Sequence, residues 1–145
     1  MKDSQKIYCY VGARGNPGPA AAAFVVEKNG KAIFKGHKFL GQSTNNVAEY
    51  SAVSLASRWL AKNIDEAIDE VYFVLDSELV VKQLAGVFKI KNENLRSLYF
   101  TIKELEKKIP AKVFYTVVPR AKNRLADFLV NKVLDENSCN RWLWV

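Results

Sequence analysis

Only two cysteines, Cys9 and Cys139, occur in the 145 residues. That is too few for a disulfide framework, and no CxxC or HxxxH spacing offers a zinc site. No apolar run approaches the roughly 20 residues of a membrane-spanning helix, so no membrane partner is expected. The first ten residues also lack the apolar core of a signal peptide. Together these absences predict a reducing, cytoplasmic setting. Histidine is scarcer still: His37 stands alone in a strand-like run between Gly36 and Lys38, remote from every motif below, and is given no role. No repeat, low-complexity stretch or linker interrupts the chain, so residues 1–145 are expected to form one domain.

Acid is in short supply relative to base. There are 22 Lys+Arg against 15 Asp+Glu, a formal net charge of +7, and the excess is unevenly placed. Residues 82–124 hold eleven Lys/Arg against three acids, a net +8, and the remainder hold eleven bases against twelve acids, a net −1. Lysines on a solvated helix face account for some of this, with Glu104 placed to pair with Lys107 and Lys108. The asymmetry nevertheless predicts a side facing a polyanion.

The apolar pattern gives an ordered set of elements. Ile7–Val11 is β-branched and aromatic and runs into Gly15-Asn16-Pro17-Gly18-Pro19, a strand followed by a turn. Residues 22–27 and 32–39 are two further strands, joined through Asn29-Gly30, a strong hairpin signal. A helix capped by Thr44 or Asn45 repeats apolar residues at Ala48, Ala52, Leu55, Ala56, Trp59 and Leu60. Val71–Leu75 is apolar throughout, as in a central strand covered on both faces. A short helix is expected from Asp76-Ser77 to about Leu84, a longer one over 92–108 and a strand over 113–118. A last helix carries Ala126, Leu129, Val130, Val133 and Leu134 on one stripe. This order implies an α/β fold: a mixed sheet with three antiparallel strands first, helical crossovers after them, and sites at strand C-termini and adjacent helix starts.

Three acids occupy positions that packing alone does not demand. Asp76 ends the very apolar strand, Glu49 is expected in the first turn of the first helix, and Asp127 lies near the start of the last. Singly, each has an ordinary explanation, since an acid in a first turn complements the helix dipole and an Asp at a strand end caps the next helix. Converging, they would suit a hard divalent cation. Glu78 reads as a surface acid.

Five segments, in order and spanning nearly the whole chain, resemble the type 1 ribonuclease H family. They are Gly15–Pro19 after the first strand, Thr44-Asn45-Asn46-Val47-Ala48-Glu49-Tyr50, and Leu75-Asp76-Ser77-Glu78-Leu79-Val80-Val81. Lys91-Asn92-Glu93-Asn94-Leu95 follows, then Val118-Pro119-Arg120-Ala121-Lys122-Asn123-Arg124-Leu125-Ala126-Asp127. The lysine-bearing stretch between the short helices is similar to the family's compact branch. The resemblance implies a ribonuclease H-like fold, a five-stranded mixed sheet flanked by helices. It also implies metal-dependent endonucleolytic cleavage of the RNA strand of an RNA–DNA hybrid. Two magnesium ions, or manganese in their place, would be held by four carboxylates. One ion would activate the attacking water and the other stabilise the leaving oxygen. Glu49, Asp76 and Asp127 match the second, third and fourth of these carboxylates.

The first does not match. The family places an Asp on the first strand, and ungapped alignment on the turn puts Tyr10 there. Asp3, seven residues upstream, would lie roughly 20 Å away along a strand. A phenol with an ordinary pKa near 10 is neutral at pH 7 and binds magnesium poorly. The expectation is therefore that metal binding is weakened and hydrolysis impaired or lost, a degenerate active site.

The binding residues fare better. The resemblance assigns Asn16, Thr44, Asn45 and Asn46 to sugar and phosphate contacts, though turn and cap chemistry also uses these residue types. Lys89 and Lys91 are placed to reach phosphates, and Arg120 falls in the loop before the last helix. The aromatic tail, with Trp142 and Trp144, is a candidate for folding back on the core, for self-association or for a protein contact. Three functions stay open: a weakened hybrid nuclease, a non-catalytic hybrid-binding module, and an interaction protein on the same fold.

Overall fold

The computed structural model describes residues 3–63, 67–119 and 129–136. Eleven-residue strands β1 (Asp3–Ala13) and β2 (Gly18–Lys28) are followed by β3 (Lys31–Ser43), and then by helix α1 (Asn45–Asn63). Strand β4 (Ile68–Leu75), helices α2 (Glu78–Leu84) and α3 (Glu93–Glu106), strand β5 (Lys112–Val117) and helix α4, over residues 129–136, complete the order. The sheet runs β3-β2-β1-β4-β5, antiparallel from β3 to β1 and parallel from β1 through β4 to β5. This is the five-stranded mixed sheet that the sequence predicts.

The three opening strands are longer than the apolar runs suggest, because ladder pairing continues past the hydrophobic residues to Ala13↔Ala20 and Gly18↔Ser43. Asn29 and Gly30 turn the β2–β3 hairpin with φ of 53° and 77°, the left-handed conformation that Asn and Gly adopt most readily. At the other end of β2, a Cβ on Gly18 would sit 2.3 Å from the Arg14 carbonyl oxygen. Only glycine allows the chain to double back there.

Alternation along β1 sorts its side chains into two cores. Ile7 and Cys9 join Phe24, Val53, Ala56, Phe73 and Ile102 beneath α1, α2 and α3. Tyr8 and Tyr10 face the opposite side, toward Ala21, Ala23 and Val25 of β2 and Val130, Val133 and Leu134 of α4. Strand β4 is buried on its α1 side through Val71, Phe73 and Leu75, whereas Glu70 and Tyr72 on the other face are only half-buried, so the expected cover on both faces is incomplete because α4 packs over β1 and β2 instead. Rings stack across the ladder on each side, Phe73 on Tyr115 at 5.3 Å and Tyr72 on the exposed Phe114 at 5.1 Å. Among the described residues no helix is long and apolar enough to cross a membrane.

Candidate functional site

Parallel pairing of β1 with β4 puts their C-terminal ends at one edge of the sheet, where α1 also begins. The paired register ends at Tyr8↔Val74, and carrying it forward two residues sets Tyr10 level with Asp76. Of the four positions that the family resemblance assigns to the carboxylate site, Tyr10, Glu49 and Asp76 can therefore be placed. Asp127 lies outside the described residues, as do Arg120, Trp142 and Trp144.

Glu49 and Asp76 are brought together. Burial first, and then the negative charge of Asp76, push the Glu49 carboxyl up to about 7 against an opposing hydrogen bond from Ser77. Glu49 Oε2 is buried with no hydrogen-bond partner among the described residues. The ordinary explanations for these acids fall away. Helix α1 starts at Asn45 and has no acid in its first turn, so Glu49 sits a turn deeper than expected, where the dipole effect has faded. Asp76 does not cap α2. Ser77 does, its Oγ accepting the Val80 N–H at 3.3 Å. The serine thus holds the helix start and steadies Glu49, a role missed in the sequence although an Asp-Ser pair before an apolar helix carries the signal.

A buried carboxylate oxygen without a partner, facing a second carboxylate, suits one hard cation. Tyr10 does not fit a shared metal position. It is 2% exposed, and its ring packs with Ala23, its cross-strand partner, and with α4. No group of three metal-ligating side chains occurs among the described residues.

Beside the carboxylates the turn after β1 docks on the start of α1. Asn16 Oδ1 accepts the Asn45 backbone N–H at 3.1 Å, and Thr44 Oγ1 accepts that of Val47 at 3.3 Å. Thr44, rather than Asn45, is the cap. Asn16, Thr44, Asn45 and Asn46 form one exposed patch. The Asn16 carbamoyl NH₂ and the Asn46 side chain have no partner among the described residues, leaving donors for phosphate oxygens and sugar hydroxyls.

Lys89 and Lys91 are exposed after α2. Lys89 lines a groove of about 400 Å³ with Phe88, Ile90, Arg96, Tyr99 and Phe100. Phe88 and Phe100 are exposed, and the Lys82 ammonium lies 5.0 Å from the Phe88 ring centre. These rings were not anticipated, because a single Phe in a polar stretch has no periodic signature. Glu78, read as a surface acid, pairs with Lys82 at 2.7 Å.

The family model described as reverse transcriptase-like matches residues 10–133. The chain is 38% identical over 125 residues to ribonuclease HI of Halobacterium salinarum, covering 86% of this chain and 61% of that protein. It is 36% identical over 130 residues to a bifunctional protein of Mycobacterium tuberculosis, covering 86% of this chain and 34% of the relative. The chain thus spans about a third to three fifths of the length of these curated relatives. The solved structure of the N-terminal ribonuclease H domain of that mycobacterial protein, as a fusion with maltose-binding protein, superposes with a TM-score of 0.85 at 32% identity, covering 97% of this chain and 99% of that one. The ribonuclease H1 LC11, isolated from compost and crystallised with an RNA/DNA hybrid, superposes with a TM-score of 0.81 at 34% identity, covering 92% and 98%. Five collinear segments, the mixed sheet and these likenesses converge: the chain belongs to the type 1 ribonuclease H family.

Proposed function

We propose that this chain binds RNA–DNA hybrid and cleaves its RNA strand weakly or not at all. The observation that carries this reading is Tyr10, a neutral ring 2% exposed in the α4-side core, standing level with Asp76 where the family resemblance calls for a carboxylate. Glu49 and Asp76 would hold one divalent ion, magnesium or manganese, and Asp127 would join them. When bound, such an ion polarises a phosphoryl oxygen or lowers the pKa of water. Without a fourth carboxylate the site lacks the charge to hold two ions side by side.

Binding is the better-supported half. Asn16, Thr44, Asn45 and Asn46 offer short donors beside the carboxylates. Lys89 and Lys91, together with Arg120, supply charge for the phosphate backbone. LC11, whose structure contains a hybrid, shares the fold at 34% identity. The second reading, a hybrid-binding module without catalysis, is favoured by the depth at which Tyr10 is buried. We place the protein in the cytoplasm, where a reducing environment suits the buried Cys9 thiol, which burial keeps protonated. Trp142 and Trp144 remain candidates for contact with a second copy or another protein.

The test is cleavage of a labelled hybrid with magnesium and with manganese, by the native chain and by Tyr10→Asp, alongside melting curves. The expected result is hybrid binding by both, and cleavage by the native chain at least a hundredfold below that of a folded Tyr10→Asp. Equal cleavage by the two overturns the argument. If the variant does not fold, the native chain decides alone: turnover above about 1 s⁻¹, the low end of ordinary enzyme rates, overturns it. No binding at low salt overturns both readings.

A further inference from the structure

A recess of about 180 Å³ lies on the outer side of α1, away from the carboxylates. It is lined by Lys38 and Leu40 of β3, Ser51, Ser54, Leu55 and Arg58 of α1, and Leu98 of α3. None of Asn16, Thr44, Asn45, Asn46, Glu49 or Asp76 contributes to it.

Its chemistry is that of an anion site. Lys38 and Arg58 come from different elements, and neither has an acidic partner among the described residues. No acid lines the recess. The α1 contribution follows helical spacing, because residues 51, 54, 55 and 58 fall on one face. Ser51 is spent internally, its hydroxyl donating to the Val47 carbonyl at 2.7 Å. Ser54 is not. It is 7% exposed, lines the recess, and has no side-chain hydrogen bond among the described residues. Its hydroxyl is reached from the recess and can donate to an oxyanion there. Two cations and a hydroxyl donor around a small volume match a tetrahedral oxyanion, which accepts charge-assisted bonds from guanidinium and ammonium together.

We propose that this recess binds a phosphate group. The group belongs either to a small phosphate ester or to the nucleic-acid backbone, and the chemistry of recognition is the same. The inference does not depend on the carboxylate site or on hybrid cleavage.

The test is titration of the full chain with inorganic phosphate, followed by amide NMR shifts. Saturable shifts are expected at Lys38, Ser54, Leu55 and Arg58, with little change at Asn16 and Asn45. Affinity should fall at least tenfold in Lys38→Gln/Arg58→Gln, and about tenfold in Ser54→Ala, which keeps both charges. All three side chains can be replaced without touching the main core, and a melting curve checks this. Shifts that stay linear in phosphate, or that survive in the double variant, overturn the proposal. Unchanged affinity in Ser54→Ala also overturns it, since binding would then be to diffuse surface charge. A short hybrid offered to the double variant separates the two sources. Unchanged hybrid affinity assigns the recess to a small phosphate ester, and weakened affinity assigns it to the backbone.

Discussion

The Tyr50 hydroxyl donates to Gln83 Oε1 at 2.6 Å, and both residues are buried. This bond ties α1 to α2 one residue from Glu49, where the two helices make little other contact. Gln83→Leu leaves the phenol without its partner in the core. The expected loss is about 1–3 kcal/mol, read as a lower denaturation midpoint. Tyr50→Phe combined with Gln83→Leu should recover part of it, because both polar ends are then gone.

Glu49 predicts an unusual pH dependence in metal-free protein. Its folded-state carboxyl is pushed up to about 7, above its unfolded value near 4.3. Between these values the folded state holds the extra proton, so stability falls as pH rises through that window and the deficit is complete above it. Glu49→Gln removes a penalty on the order of 2–3 kcal/mol. With a chelator present, the variant should be more stable than the native chain at pH 8 and nearly equal to it at pH 4. A difference of the same size at both pH values would contradict this.

Asn16 performs two tasks that one substitution separates. Asn16→Asp keeps an oxygen for the Asn45 N–H and adds a negative charge near a helix start, so the melting temperature should hold or rise slightly. It also removes the NH₂ donors and repels phosphate. Hybrid affinity should drop about tenfold at low salt, measured by fluorescence anisotropy. Asn16→Ala should instead lose about 1 kcal/mol of stability as well as affinity.

Lys103 is the hub of a partly buried network. Its Nζ donates to the Leu84 carbonyl at 2.6 Å and to Glu106 Oε1 at 3.0 Å, and lies 5.1 Å from the Tyr115 ring centre. Tyr115 also hydrogen-bonds Glu106. Lys103→Met keeps the apolar stem but leaves Glu106 and the Leu84 carbonyl without their cation. A loss of about 2–3 kcal/mol is expected in chemical denaturation.

Lys89 and Lys91 should show themselves through salt rather than through affinity alone. Each phosphate contact adds about 0.7–0.9 to the slope of log affinity against log salt. Lys89→Gln/Lys91→Gln should therefore flatten the slope by roughly 1.5 if both lysines reach the backbone. An unchanged slope would show that neither does.

Much of the fold was legible because local signals agreed with one another. Asn29-Gly30 marks the hairpin, the apolar run at 71–75 marks an interior strand, β4, and the stripe at Leu95, Leu98, Tyr99 and Ile102 marks α3. Helix ends were less legible. Thr44 and Asn45 both read as caps for α1, as did Asp76 and Ser77 for α2, and only geometry shows that Thr44 and Ser77 hold the helix starts. Alternation tells that Tyr8 and Tyr10 share a face, but not that α4 covers it. That depends on contacts between residues more than a hundred positions apart. The pairing of Glu49 with Asp76 was reachable from the family resemblance. The burial that shifts Glu49, and the recess around Ser54, arise from packing between elements and leave no mark in any one segment.

The Ala21 and Ala23 side chains that receive the Tyr10 ring have a further consequence. A carboxylate restored at position 10 would meet a pocket shaped for an aromatic ring: a void beside two methyl groups, with a charge placed in an apolar cluster. The path back to a four-carboxylate site therefore passes through a less stable protein. Larger or polar residues at 21 and 23 would have to come first. In this chain the order of substitutions matters as much as their identity.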